Sequence, residues 1–469
     1  MNKQGAAPTE LGTRKISSLL KSYAIPGIIA QTAASLYNMV DSIYIGHIPG
    51  VGASAISGLA VTFPLMNLSI ALGTLVGVGG MTMISILLGQ KNYDSARQVL
   101  SNILTLNTIL GVLFTAVVLP FLEPILRFFG ASDATLPFAY DYMFIIVLGN
   151  IITHLMHGFN GVIRCSGHPK TAMGLTLFTV ISNAILDPVF IFALDMGIKG
   201  AALATIICQF LALIYTIRFL ADRQRFLHFP RPVFQLNGRI ARQSLAIGVG
   251  PFLMNAAACL VALFVNQQLV RYGGDDAIGS YGIVNRFVML FVMINMGFNQ
   301  GLQPIAGYNY GARQYKRVKE VFVLTAKWEV IVTLACFLVS ELFPRFAVGL
   351  FVDLDDPANA TLAHMAPKAL RIISCGFALV GFSMVSGNFF QCIGMVKTSV
   401  FLSLSRQLIF LLPLIYTLPI WLGETGVWIS FPISDIISVA VSAIFIIRIF
   451  KQFNRLEDGS SAESLGGAL

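Results

Sequence analysis

Apolar runs of roughly 20 residues or more follow one another along almost the whole chain, separated by short polar breaks. A bilayer's hydrocarbon core is about 30 Å thick, and about 20 helical residues cross it. Within that core every backbone N–H and C=O must find its partner inside the protein, so only helices and closed barrels span it. The runs are unbroken instead of alternating apolar with polar, which excludes an outer-membrane barrel. Charged residues make up 11% of the chain, against about 25% in a soluble domain. The expected fold class is an all-α polytopic membrane protein. The runs divide into twelve spans, roughly 17–46, 54–88, 96–126, 138–164, 170–194, 198–221, 240–271, 277–309, 317–349, 365–393, 397–421 and 425–450.

Charge sets the orientation. With the N-terminus in the cytoplasm, the inner connections hold 24 of the 31 Lys and Arg. The outer turns around 47–53, 195–199, 272–276 and 422–424 hold almost none, and the outer loop 350–364 is acidic. This is the positive-inside pattern, with both termini cytoplasmic and the protein multi-pass in a cell (inner or cytoplasmic) membrane. The net charge of +9 is thus a topology signal, with attraction to anionic lipid as its consequence, and no nucleic-acid partner is expected. The N-terminal stretch MNKQGAAPTELGTRKISSLLK lacks the apolar core and cleavage site of a signal peptide. The six cysteines (165, 208, 259, 336, 375, 392) fall in or at the ends of apolar segments, none at CxxC spacing. They read as small core hydrophobes.

The domain reading is an N-terminal six-helix bundle over 1–221, a basic cytoplasmic linker over 222–239, a C-terminal six-helix bundle over 240–450 and a disordered tail over 451–469. The halves are related. Shifted by 222, LLGQKNYDSARQVL (87–100) falls on NYGARQYKRVKEVF (309–322), with Gly79 on Gly301. Shifted by 227, Cys165, Gly167, Lys170 and Thr171 fall on Cys392, Gly394, Lys397 and Thr398. Six helices separate the equivalents, so they start on the same side and form a parallel, pseudo-symmetric repeat, an arrangement found among transporters.

Polar groups inside the spans carry the chemistry, because ionisable side chains in hydrocarbon are costly and usually functional. Asp41 lies 16 residues past Ile25 and Asp187 lies 16 past Thr171, each about 24 Å along its helix from the same face. Thr205 lies five past the outer turn at Gly200, about 8 Å in from the other side. In a core about 30 Å thick the three levels coincide. Asn183 is one turn from Asp187 on the same face. Tyr37 and Asn38 are one turn below Asp41, and Gln209 is one turn below Thr205. Two carboxylates at one level either hold a proton or recruit a cation, and oxygen ligands suit a hard ion such as Na⁺. The repeat equivalents of Asp41, Asn183, Asp187 and Thr205 are Leu263, Phe410, Leu414 and Phe431, so the polar set belongs to the first half alone. The structural alternatives are a buried Asp capping a helix broken at Pro188 and a Thr bonding its own backbone.

Other polar residues are open to plainer readings. Asp435 can pair with Arg406, and Arg286 and Glu329 invite the same pairing. His154 and His157, one turn apart, can relay protons or sit as satisfied core histidines. Tyr142 and Asn150 can line a substrate cavity, with interfacial anchoring as the alternative for Tyr142.

The segments P26-G-I-I-A-Q, Y37-N38-x2-D41, I163-R-C-S-G-H-P-K170, N183-x3-D187-P188, G200-A-A-L-A-T205 and Q303-P-I-A-G-Y-N309-Y-G-A-R313 together resemble the multidrug and toxic compound extrusion (MATE) family. The closer likeness is to its DNA-damage-inducible and staphylococcal-type prokaryotic branch. The resemblance implies twelve helices in two halves and efflux of amphiphilic organic cations by antiport with H⁺ or Na⁺. It assigns the coupling site to Asp41 and Asp187 with Asn183 and Thr205, which would also be the Na⁺ ligands if Na⁺ is the ion. It implies no cofactor, no enzymatic activity and a monomer in the lipid bilayer. Substrate contacts are expected from Tyr37, Asn38, Tyr142, Asn150 and Gln209. Another branch carries acids in its seventh and tenth spans; the corresponding spans here, 240–271 and 365–393, hold none inside, which argues against a second-half ion site. Alternatives are a lipid-linked precursor flippase, a membrane-embedded lipid-modifying enzyme and a channel.

A topology follows that fusion reporters can check. A periplasm-dependent phosphatase fused after residue 197 should be active and one fused after residue 230 inactive, with a fluorescent-protein reporter giving the reverse.

Overall fold

The computed structural model describes residues 10–352, 354 and 360–458, without the side chains of Asn38, Met39, Ala53 and Asp275. The described residues are almost entirely helical and include no strand. The helices are α1 (Ile16–Gly46), α2 (Gly52–Gly89), α3 (Tyr93–Phe128), α4 (Leu136–Leu148), α5 (Asn150–Cys165), α6 (Pro169–Ala193) and α7 (Ile198–Ala221). They continue as α8 (Gly238–Gly274), α9 (Asp276–Gly311), α10 (Tyr315–Leu342), α11 (Ala360–Phe377), α12 (Val380–Cys392), α13 (Val396–Leu422) and α14 (Glu424–Glu457). Among the described residues nine of these are long and apolar enough to cross a membrane alone, and the bent pairs α4–α5 and α11–α12 bring the number to eleven. The remaining long helix is α1, 31 residues, or about 46 Å. Its interior carries Gln31, Thr32, Tyr37 and Asp41, and this polar load keeps it out of the apolar set.

By packing, the chain divides into two units. One holds Ile29–Phe252, and the other holds Lys15–Ile28 with the chain from Leu253 onward. The division cuts α1 two residues after Pro26 and cuts α8 one residue after Pro251. The segment 222–239 is fastened to α3 of the first unit: Ser101 Oγ donates to the Val233 carbonyl at 2.6 Å, and the Asn237 N–H donates to Asn102 Oδ1 at 3.1 Å. The core of the first unit runs through α2, α3, α4 and α7 around Leu65, Tyr142, Met143 and Ala201. That of the second gathers around Val265, Phe287, Leu370 and Trp428.

The two units repeat the same backbone devices. Lys91 and Arg313 share a positive φ, as do Gly167 and Gly394, and Gly197 and Gly423. α4 and α5 meet at 58°, α11 and α12 at 50°. A π-turn ends α6 at Val189–Ala193, and another interrupts α13 at Ser405–Leu411. Gly200 and Gly426 each lie under the carbonyl of the preceding hairpin arm, with room for no Cβ: the nearest backbone atoms would be 2.6 Å away, at Phe190 and Leu418.

One expectation is corrected. Residues 451–457, expected in a disordered tail, continue α14 as helix. Lys319 on α10 holds them with bonds to Glu457 at 3.0 Å and Asn454 at 2.6 Å. Residues 459–469 of that tail, and most of the acidic stretch 353–359, lie outside the described residues.

Gly200→Ala and Gly426→Ala should each cost about 1–3 kcal/mol through backbone overpacking. Gly174→Ala, where nothing lies within 4 Å, should be neutral or stabilising by up to about 1 kcal/mol. Thermal unfolding of the purified protein in detergent reads the difference.

Candidate functional site

The sequence-expected residues of α1, α6 and α7 converge within the first unit. Thr205 is the hub. Its Oγ1 lies 2.9 Å from the Tyr37 hydroxyl of α1 and accepts from Asn183 Nδ2 of α6 at 3.2 Å. Asp187 sits one turn past Asn183, where Pro188 removes a backbone donor and α6 passes into its π-turn. Asp187 is fully buried and Asp41 is 6% exposed. Four oxygens of this cluster have no hydrogen-bond donor: Asp41 Oδ1, both carboxylate oxygens of Asp187, and Asn183 Oδ1. The Asp41 charge acts on Asp187, and among the described residues no Lys or Arg pairs with either.

This arrangement has one chemical consequence. Buried acceptor oxygens without donors are unfavourable, and paired carboxylates add repulsion. One bound proton supplies a donor and removes a charge; one hard cation satisfies several oxygens together. If Na⁺ is the ion, the carboxylates of Asp41 and Asp187, the Asn183 amide oxygen and the Thr205 hydroxyl would offer it an all-oxygen donor set. Among the described residues no group of three or more His, Cys, Asp or Glu is arranged to hold a metal ion.

The proposed substrate contacts divide. Tyr37 and Gln209 are half-buried. Gln209 Oε1 accepts from Thr153 of α5 at 2.6 Å. Asn150 is buried, and its Oδ1 accepts from Ser69 Oγ of α2, which also lies 3.4 Å from His154 Nε2. Tyr142 is closed in among apolar residues, 2% exposed. Asn38 is on α1, but its side chain is outside the described residues. Ser69 and Thr153 escaped the sequence reading; a hydroxyl in an apolar helix gives no signal until its partner is known.

The remaining polar residues also resolve. Arg406 donates to Asp435 at 3.3 Å, the expected pair. Arg286 and Glu329 do not pair: Arg286 is exposed, whereas Glu329 is fully buried with neither oxygen bonded. Glu329 stands beside Asn299 of α9, and Arg286 is 13 residues earlier on that helix, about 20 Å away along it. His154 is buried while His157 is exposed, so the two face different surroundings.

The model of the MatE family matches residues 26–189 and 251–417, one stretch in each half. The chain belongs to the MatE family. Its relatives include the multidrug export protein MepA of Staphylococcus haemolyticus, 28% identical over 92% of this chain and 94% of that protein. MepA of Staphylococcus aureus is 27% identical over 92% and 93%. Among solved structures, a MATE transporter in a bent conformation superposes with a TM-score of 0.89 at 24% identity, over 96% of this chain and 99% of that one. An outward-facing multidrug resistance MATE family transporter superposes with a TM-score of 0.88 at 23% identity, over 96% and 99%. This MatE protein is therefore a multi-pass membrane protein with the two-lobed helical fold of the MATE transporters. The first matched stretch contains Asp41, Asn183 and Asp187.

In this MatE protein the Thr205 hub is open to a double-mutant cycle. Thr205→Val removes the oxygen shared by Tyr37 and Asn183 and should cost about 1–2 kcal/mol of stability. Tyr37→Phe should cost less alone and add little to Thr205→Val in thermal unfolding, because the two remove one shared bond.

Proposed function

We propose that the protein is a secondary antiporter that exports amphiphilic, mostly cationic organic compounds in exchange for H⁺ or Na⁺. The observation that carries this reading is the cluster of donor-less oxygens on Asp41, Asp187 and Asn183, buried where a proton or a small cation is their natural partner. The multidrug export function in the names of the staphylococcal relatives supports the substrate class. The Lys and Arg bias supports cytoplasmic termini in the inner or cytoplasmic membrane, and the protein works as a monomer.

The cycle follows from the electrostatics of the site. With the cavity open outward, Asp41 and Asp187 take up the ion. Their net negative charge falls, and with it their attraction for a cationic drug, which leaves to the outside. Alternating access then presents the loaded site to the cytoplasm. The ion departs, the carboxylates regain their charge, and Tyr37 and Gln209 beside them receive the next drug. Transport needs no covalent step and no cofactor.

Inverted vesicles with a fluorescent cationic dye test this. With the wild type, an imposed H⁺ gradient or Na⁺ gradient, each applied alone, should drive dye movement and so name the coupling ion. Asp41→Asn and Asp187→Asn should reduce gradient-driven movement to the level of protein-free vesicles while the proteins stay folded. Wild-type export by both variants would overturn the assignment.

A further inference from the structure

The second unit holds a carboxyl for which the cycle above has no use. Glu329 lies midway along α10, fully buried, and neither of its oxygens has a hydrogen-bond donor. The Asn299 amide of α9 approaches it on the donor side without completing a hydrogen bond, and Asn388 of α12 donates to Asn299 Oδ1 at 2.9 Å. Among the described residues no charged side chain pairs with it. Arg286 of α9 is exposed. Lys368 of α11 lies over the Trp428 ring, and Arg371 pairs with Glu341. On α14, Asp435 pairs with Arg406 and Arg448 lies over Phe445.

The place of Glu329 in the backbone is specific. It stands against the break between α11 and α12: a Cβ on Gly381 would meet the Glu329 backbone carbonyl at 2.6 Å. The Thr333 hydroxyl lies 3.1 Å from both the Glu329 carbonyl and the carbonyl of Ala378, inside the break. The repeat gives a control. α3 and α10 start in register at Tyr93 and Tyr315, which puts Asn107 opposite Glu329. Asn107 is likewise fully buried, and neither its Nδ2 nor its Oδ1 has a partner. The repeat position therefore holds a neutral amide in one unit and an acid in the other.

We propose that Glu329 is a second proton-exchange site, in the second unit, separate from the Asp41–Asp187 cluster. The step is the addition of one proton to the carboxylate and its later return to water, with no other bond changed. An uncompensated carboxylate in this niche is unfavourable. Movement at the α11–α12 break brings or removes water and dipoles and so sets whether the proton stays. This goes beyond the first-unit coupling site and does not depend on it, and it revises the expectation against a second-half ion site: the seventh and tenth spans hold no acid, but the ninth, 317–349, holds Glu329.

The test uses the full-length protein in lipid, with infrared difference spectra across a pH titration and proton release counted on adding tetraphenylphosphonium. The wild type should show a carboxyl band that disappears on alkalinisation and is absent from Glu329→Gln and Glu329→Asn, both of which should fold. The variants should release fewer protons than wild type. The band should survive in the Asp41→Asn/Asp187→Asn double variant, so a failed first-unit assignment leaves this result intact. A Glu329 band unchanged at every pH would make the group a permanently neutral strut and overturn the proposal, as would proton release identical in wild type and Glu329→Gln. Should neither neutral variant fold, Glu329→Asp must shift the band, and an unshifted band overturns the proposal.

Discussion

A carboxylate buried away from water needs donors or a counter-charge, and the chain meets that need unevenly. Asp435 has Arg406 at 3.3 Å. Glu457 has Lys319 at 3.0 Å. Asp187 and Glu329 have no donor on either oxygen. An unpaired buried charge is strongly destabilising, whereas a compensated pair is close to neutral. The bare carboxyls are therefore the places where, in the proposed cycle, an arriving proton or cation would relieve an unfavourable state, while the completed pairs hold helices together.

The surrounding architecture keeps those oxygens bare. In α6, Pro188 and the π-turn at Val189–Ala193 take regular backbone donors away from the neighbourhood of Asp187. The Asn183 amide spends an N–H on Thr205, and its oxygen is left facing no donor. On α10, the break between Phe377 and Val380 takes up the Thr333 hydroxyl through Ala378. Both acids thus sit beside irregular helix, which membrane proteins tolerate where it is buried in protein or lines a cavity.

The repeat separates scaffold from chemistry. Positive-φ turns, bent helix pairs and close glycine approaches recur in both units. The acids do not: Asp41 and Asp187 face Leu263 and Leu414 across the repeat, and Glu329 faces Asn107. A duplicated backbone supplies two similar frames. Side-chain differences then give each its own task, which agrees with the membership of both halves in one family.

Much of this was legible in the sequence because the bilayer makes the code simple. Apolar runs near the membrane thickness dictate spanning helices, Lys and Arg placement dictates orientation, and a rise of 1.5 Å per residue puts Asp41, Asp187 and Thr205 at one level. Depth along a helix is one-dimensional and can be counted. Azimuth cannot, because it depends on which neighbour packs on which face. So the tertiary structure alone decided that Thr205 joins Tyr37 to Asn183, that Ser69 and Thr153 hold Asn150 and Gln209, and that Arg286 turns outward while Glu329 turns inward. Counting levels along apolar helices determined which polar groups had the chance to meet; the rotation of each helix against its neighbours determined which of them did.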